Sequence, residues 1–131
     1  MTTITIDTRQ RVELLEITAQ VRKAIHDSGI REGLAVVYTP HTTAAVTINE
    51  NADPDVAGDM IAALNKLVPF DDRYRHAEGN SAAHVKSSLV GASETLIVAA
   101  GAPLLGTWQG IYFCEFDGPR RRQVQVRVVG A

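Results

Sequence analysis

The sequence predicts a single α+β domain, a mainly antiparallel sheet with two or three packed helices. Three observations point there. Apolar and β-branched stretches of strand length recur near both ends of the chain. Segments between them carry apolar residues at helical spacing, and Gly, Pro and Asp punctuate the boundaries. The 131 residues can bury one core without disulfide staples, and a hydrophobic content of 45% argues against disorder.

Taken in order, residues 2–8 alternate Thr and Ile, the period of a half-buried strand. Thr18 is the expected N-cap of a helix that carries Val21, Ala24 and Ile25 on one face and ends near Gly29. Residues 34–38 and 44–48 read as buried strands, with His41-Thr42-Thr43 where the chain bends between them at a sheet rim. Asp53-Pro54 opens a second helix, Asp as cap and Pro in the first turn. Its stripe is Val56, Met60, Ile61, Leu64, Leu67 and Val68, and Pro69 stops it. Residues 69–80 are polar and irregular. A short helix is expected over 81–89, closed by Gly91, with His84 and Ser88 on one face. Strands follow at 94–100, 110–116 and 123–129, the last two joined by Asp117-Gly118-Pro119. In the final strand Val124, Val126 and Val128 point inward. No linker, repeat or low-complexity segment divides the chain, so residues 1–131 read as one domain.

A formal charge of −2 gives no general attraction to nucleic acid or anionic membranes, and the short run Arg120-Arg121-Arg122 does not reverse that. It can act as a local anion clamp, because guanidinium groups pair bidentately with phosphate. One cysteine, Cys114, allows no internal disulfide. Residues 1–7 lack a leader pattern, and no apolar run approaches the ~20 residues needed to cross a bilayer. The expectation is a soluble, cytoplasmic protein with no nucleic-acid or membrane partner.

The chemistry is concentrated in polar clusters set in apolar surroundings. His41, His76 and His84 are the candidate metal ligands, since three imidazoles plus a water make an open zinc arrangement. Each histidine alone is an ordinary rim residue, and His26 at a helix end simply suits the helix dipole. Glu50 and Glu78 are candidate general bases or partners that orient a histidine; the bland alternative is a solvated loop carboxylate. Asn49 and Asn80 can hold polar groups, though Asn is also a common turn residue. Lys86 lies two positions from His84, on another helical face. Ser87 beside a helix start can donate to phosphate. Trp108 is more often packing than stacking, yet Thr107 and Gln109 flank it. Glu115 sits among apolar neighbours and needs a partner, Arg120 or Arg122. Cys114 reads as core.

The motifs His41-Thr42-Thr43-Ala44, Asn49-Glu50-Asn51-Ala52-Asp53-Pro54, His76-Ala77-Glu78-Gly79-Asn80, His84-Val85-Lys86-Ser87-Ser88-Leu89 and Gly106-Thr107-Trp108-Gln109-Gly110-Ile111 stand in a distinctive order and spacing. In both, the chain resembles the YjbQ-like proteins, small stand-alone proteins often labelled secondary thiamine-phosphate synthases. The resemblance runs from about Arg9 to Val128. It implies a compact α+β fold assembled as a homotrimer, with sites near subunit boundaries. It also implies a weak thiamine-phosphate synthase activity, in which hydroxymethylpyrimidine diphosphate and thiazole phosphate join and pyrophosphate leaves.

Three functional readings follow. The first is a metal-assisted small-molecule enzyme, with His41, His76 and His84 on the metal and Glu50, Glu78 and His84 in catalytic roles. Thr42, Asn49, Asn80, Lys86, Ser87, Trp108, Gln109 and Arg120 would then bind substrate. Zinc suits three histidines; magnesium is the usual companion of a diphosphate. The second is a non-catalytic trimer that binds a metal or a small phosphorylated metabolite. A third treats the histidines as rim residues that link subunits.

Overall fold

The computed structural model describes residues 1–131. Strands β1 (Thr2–Asp7) and β2 (Glu13–Glu16) lead into helix α1 (Thr18–Asp27). Strands β3 (Gly33–Tyr38) and β4 (Ala44–Glu50) precede helices α2 (Pro54–Leu67) and α3 (Ser81–Val90). Strands β5 (Ser93–Ala99), β6 (Ala102–Pro103), β7 (Gln109–Glu115) and β8 (Arg121–Gly130) complete the chain. The α+β class is as expected, but the antiparallel strands divide into two sheets, β1-β8-β3-β5-β6 and β2-β7-β4.

That division follows from the side chains. In β4, Ala44 and Val46 join the main core while Ala45, pointing the other way, joins a second cluster with Ala83, Cys114 and Phe116. β7 does the same, with Ile111 and Phe113 on one side and Cys114 on the other. The smaller sheet is thus a middle layer, covered on both faces, and so its strands read as continuous apolar runs. The larger sheet alternates instead. Val37, Leu96, Val98, Val124 and Val126 face the core, whereas Leu34, Val36, Tyr38, Ile97 and Val129 lie on an exposed outer face.

The helices differ in how firmly they are held. α1 buries Val21, Ala24 and Ile25. Ile17, not Thr18, takes its N-cap position, because the Thr18 hydroxyl is used across the sheet: it accepts from the Ile111 amide at 2.9 Å and donates to Glu16. α2 is capped as expected, with the Asp53 carboxylate accepting from the Asp55 amide at 2.9 Å. No residue of α2 is buried; its apolar stripe overhangs a cleft of about 400 Å³ floored by Leu14 and Cys114. α3 buries Ala82, Ala83, Lys86 and Ser87, and the Ser87 hydroxyl donates to the Ala44 carbonyl at 2.6 Å. That bond fixes α3 against the start of β4. No helix is long and apolar enough to cross a membrane.

Candidate functional site

The site begins where the β3–β8 ladder ends. The last paired residues are Tyr38 and Gln125. Beyond them β3 turns away, and two side chains of the following loop replace its backbone. The Thr39 hydroxyl donates to the Gln123 carbonyl at 3.1 Å, and the Gln123 amide donates to His41 Nε2 at 2.9 Å. Both backbone polar groups of Gln123 are satisfied by the 39–43 loop, which takes the place of a β3 residue here.

Arg122 anchors the same loop from inside. Its Nη2 donates to the Thr43 hydroxyl at 2.8 Å and to the Thr43 carbonyl at 3.3 Å. Nη2 also donates to Glu115, as does Nε; Glu115 Oε1 accepts from Thr8 as well, and Oε2 from the Asp117 amide. Arg122 is therefore the partner Glu115 requires. These bonds hold the Glu115 carboxyl below the usual carboxylate range although burial alone would raise it. Burial lowers the His41 pKa, and the positive charges of Arg122 and Arg120 lower it further, against a smaller upward pull from the Glu115 carboxylate. His41 is accordingly a neutral imidazole at pH 7.

Opposite this loop stands α3. His41, Thr42, His84 and Ser87 line one cleft of about 550 Å³, with Tyr38 and Thr39 at its β3 end. His76 reaches back over His84, the two rings meeting edge to face with centroids 5.7 Å apart, and Glu78 lies 3.7 Å from His76 Nε2. Asn80 occupies the N-cap position of α3 without capping it; its amide donates instead to Asp117 Oδ2 at 2.9 Å. The same carboxylate oxygen receives Arg120 Nη2 at 3.2 Å. The Asn80 Oδ1 atom is buried with no partner.

The structure thus gathers His41, Thr42, His76, Glu78, Asn80, His84, Ser87 and Arg120 around one end of the molecule. Five expected residues lie elsewhere. β4 carries the chain roughly 20 Å between Ala44 and Glu50 at strand rise. The register pairs Glu50 with Gln109 and Ala44 with Glu115, so Asn49, Glu50, Trp108 and Gln109 sit at the far end of the smaller sheet. There Gln109 Oε1 accepts from the Gly106 amide, Asn49 Oδ1 accepts from the Glu50 amide, and Trp108 is exposed. Lys86 is also displaced from the cleft. It is fully buried on the face of α3 turned away from His84, where Nζ donates to Asn65 Oδ1 at 2.6 Å and lies 3.9 Å from the Phe70 ring centroid.

The three imidazoles do not form a free donor set. His41 Nε2 is already an acceptor, and no three His, Cys, Asp or Glu residues lie close enough to share one ion. A zinc ion on all three histidines of one chain does not fit this arrangement. Asp117 and Gln123 are site residues to which the sequence assigns no site role, whereas it offers Arg122 as a partner for Glu115. Asp117 and Arg122 carried a signal, as charged residues in an apolar hairpin; Gln123 acts through its backbone and carried none.

The family model described as UPF0047 protein YjbQ-like matches residues 2–131. The chain belongs to this family. Among its UPF0047 relatives, one from Methanocaldococcus jannaschii is 56% identical over 95% of this chain and 91% of its own. YugU of Bacillus subtilis is 52% identical over 98% of each. A crystal structure of a YjbQ/UPF0047 protein from Clostridium acetobutylicum superposes with a TM-score of 0.97 at 50% identity, covering 98% of this chain and all of that one. A Sulfolobus solfataricus YbjQ-like protein of unknown function gives 0.96 at 30% identity, over 99% of this chain and 96% of that one. These relatives and structures carry the family's number or the words unknown function, and no activity. In this YjbQ-like chain the cleft itself supplies the neutral His41, the His84 imidazole and hydroxyls. His76 packs on His84 from outside the lining, and the half-exposed Arg120 guanidinium is near enough for its charge to act on His41. That is equipment for holding an oxyanion and moving a proton nearby.

Proposed function

We propose that the cleft between the 39–43 loop and α3 binds a phosphorylated small molecule and that the chain acts on it as an enzyme. Secondary thiamine-phosphate synthesis is the specific reaction to test. The observation that carries the reading is the convergence of His41, His84 and Ser87 on one concave surface, with His76 and Arg120 at its margin. Arg120 is oriented by Asp117 yet half-exposed, which leaves donors for a phosphate. His84 is the natural proton carrier, because it lines the cleft and His76 packs against its ring.

A divalent ion would enter this proposal through His76 and His84, whose nitrogens accept no hydrogen bond within the protein, and His84 would then be a ligand instead of the proton carrier. Imidazole donors favour zinc over magnesium. A third donor would come from movement of Glu78 or from a second copy. Self-association, as the trimer the resemblance implies, is supported by the apolar outer face of the larger sheet, where Leu34, Ile97 and Val129 are each at least half exposed. Association would also be the means of bringing Glu50, Trp108 and Gln109 of one copy towards the histidines of another.

The test is thiamine phosphate formation by metal-defined wild-type protein and by His84→Ala, prepared identically from cells that lack their own synthase. Activity that disappears in a variant of unchanged stability supports the enzyme. Equal activity in both, or none in either, overturns the thiamine assignment and leaves the binding protein. Ion content of the two preparations, and mass in solution, decide the metal and the trimer separately.

A further inference from the structure

His41 is joined to the fold by an interaction that dictates its chemistry. The Gln123 amide can only donate, so the ring nitrogen it meets, Nε2, must offer a lone pair. A neutral imidazole with a bare Nε2 carries its proton on Nδ1. Were the proton on Nε2, two N–H groups would face each other, and the Gln123 amide, deprived of β3, would be left without a partner. The loop cannot relax to avoid this, because Arg122 holds Thr43 two residues away and Thr39 is bonded to the Gln123 carbonyl. Nδ1 is the one polar atom of the ring without a partner in the protein, and the ring lines the cleft.

We propose that His41 is locked as the Nδ1–H tautomer and serves the cleft as a fixed, neutral hydrogen-bond donor to an oxyanion of the ligand, with Arg122 and Thr43 as its positioning residues. His41 is on this assignment neither a metal ligand nor a general base. A ligand oxygen fits it and a metal does not, since Nδ1 has no lone pair to give while Nε2 faces Gln123. A charged imidazolium in its place would break the same bond. Burial and the charges of Arg122 and Arg120 oppose a proton on His41, and together they outweigh the opposite pull of the Glu115 carboxylate. The assignment rests on the cleft being the ligand site, but the tautomer can be measured with no ligand present.

The first experiment is nitrogen NMR of protein labelled at histidine, with the His41 signals assigned by their loss in His41→Gln. Expected at pH 7.5 is a protonated Nδ1 and a bare Nε2. A protonated Nε2, or both nitrogens protonated, overturns the assignment. In Thr43→Val the two tautomers should mix, and Thr43→Ser should restore one; no change in either variant removes Arg122 and Thr43 from the positioning role.

The second experiment separates the two nitrogens by size. His41→Gln places an acceptor near the Nε2 position, and His41→Asn places a donor near the Nδ1 position. Inorganic phosphate and pyrophosphate are the probes. His41→Gln should keep the stability of the wild type and bind about tenfold more weakly, the loss expected of one hydrogen bond to a charged group. His41→Asn should be less stable but bind nearer to wild type. Wild-type binding by His41→Gln overturns the donor role. Failure of the wild type to bind either probe counts against the phosphate site itself, and the NMR result then still decides the state of His41.

Discussion

Arg122 and Glu115 face each other where neither reaches water, their side chains 3% and 0% exposed. The pair joins β7 to β8, and through Thr8 and Thr43 it also ties β1 and the 39–43 loop to the same point. Removing one partner would leave the other charge buried alone. Arg122→Met should therefore cost about 3–5 kcal/mol, whereas exchanging both residues for apolar ones of similar volume should cost much less. Urea denaturation of the two variants checks this; equal losses would show that the pair is not the stabilising unit.

Acidification should destabilise the protein through His41. Its pKa in the fold lies below the ordinary histidine value of about 6.5, so the unfolded chain takes up a proton more readily. Stability from this group is complete above that value and is lost as the pH falls through the lower folded one. His41→Gln, which cannot titrate, should show a flatter fall in denaturation midpoint between pH 7 and 5. A parallel fall in both proteins would assign the effect to other groups.

Lys86 should respond to alkali. Burial lowers its pKa, and the charge of Arg11 adds to the effect, because Arg11 shares the Phe70 ring and no carboxylate pairs with the lysine. The unfolded chain holds that proton more tightly, so this group adds stability as pH rises through its folded pKa towards the ordinary value. Lys86→Met should remove that rise and leave the midpoint at pH 7 equal or higher. Binding of phosphate probes should be unchanged, since Lys86 is outside the cleft.

Cys114 is predicted to be chemically silent. It is buried, and its thiol is pushed up to about 12, so the reactive thiolate is scarce at pH 8. An aromatic disulfide reagent should label it only as fast as the protein unfolds. Rapid labelling of native protein would mean that the cleft under α2 opens far enough to admit the reagent.

The Asp53 cap offers a local test of α2. Asp53→Ala should cost about 1 kcal/mol, and because α2 buries no residue it should open before the rest of the molecule. Hydrogen exchange would show the α2 amides as the first helix to lose protection; uniform protection across α1 and α2 would contradict that.

What the sequence made legible was local. Asp53-Pro54 marks α2 by cap chemistry, and the Val124, Val126, Val128 alternation marks β8, because each signal is complete within a few residues. β2 was missed. Glu13-Leu14-Leu15-Glu16 has no alternation, since Leu15 packs on the main core while Leu14 packs on the second cluster. The division of the candidate site has a similar origin. His41 and Glu50 are nine positions apart in one motif-rich stretch, but a straight strand lies between them and carries them to opposite ends. Lys86 illustrates the reverse case: its helical face was legible, whereas its burial depends on Asn65 and Phe70, which no local pattern links to it.

The pairing of β1 with β8, Thr2 opposite Val126, also sets an order of events in the life of the chain. β8 lies inside the larger sheet, between β1 and β3, so nothing links β1 to the rest of that sheet until residues 121–130 have been synthesised. β1 has no other strand to join in the meantime. Such long-range pairing makes for slow folding. While the chain is being made its first strand therefore waits until residues 121–130 emerge, and Arg122 and Gln123, which shape the His41 loop, arrive with that late strand.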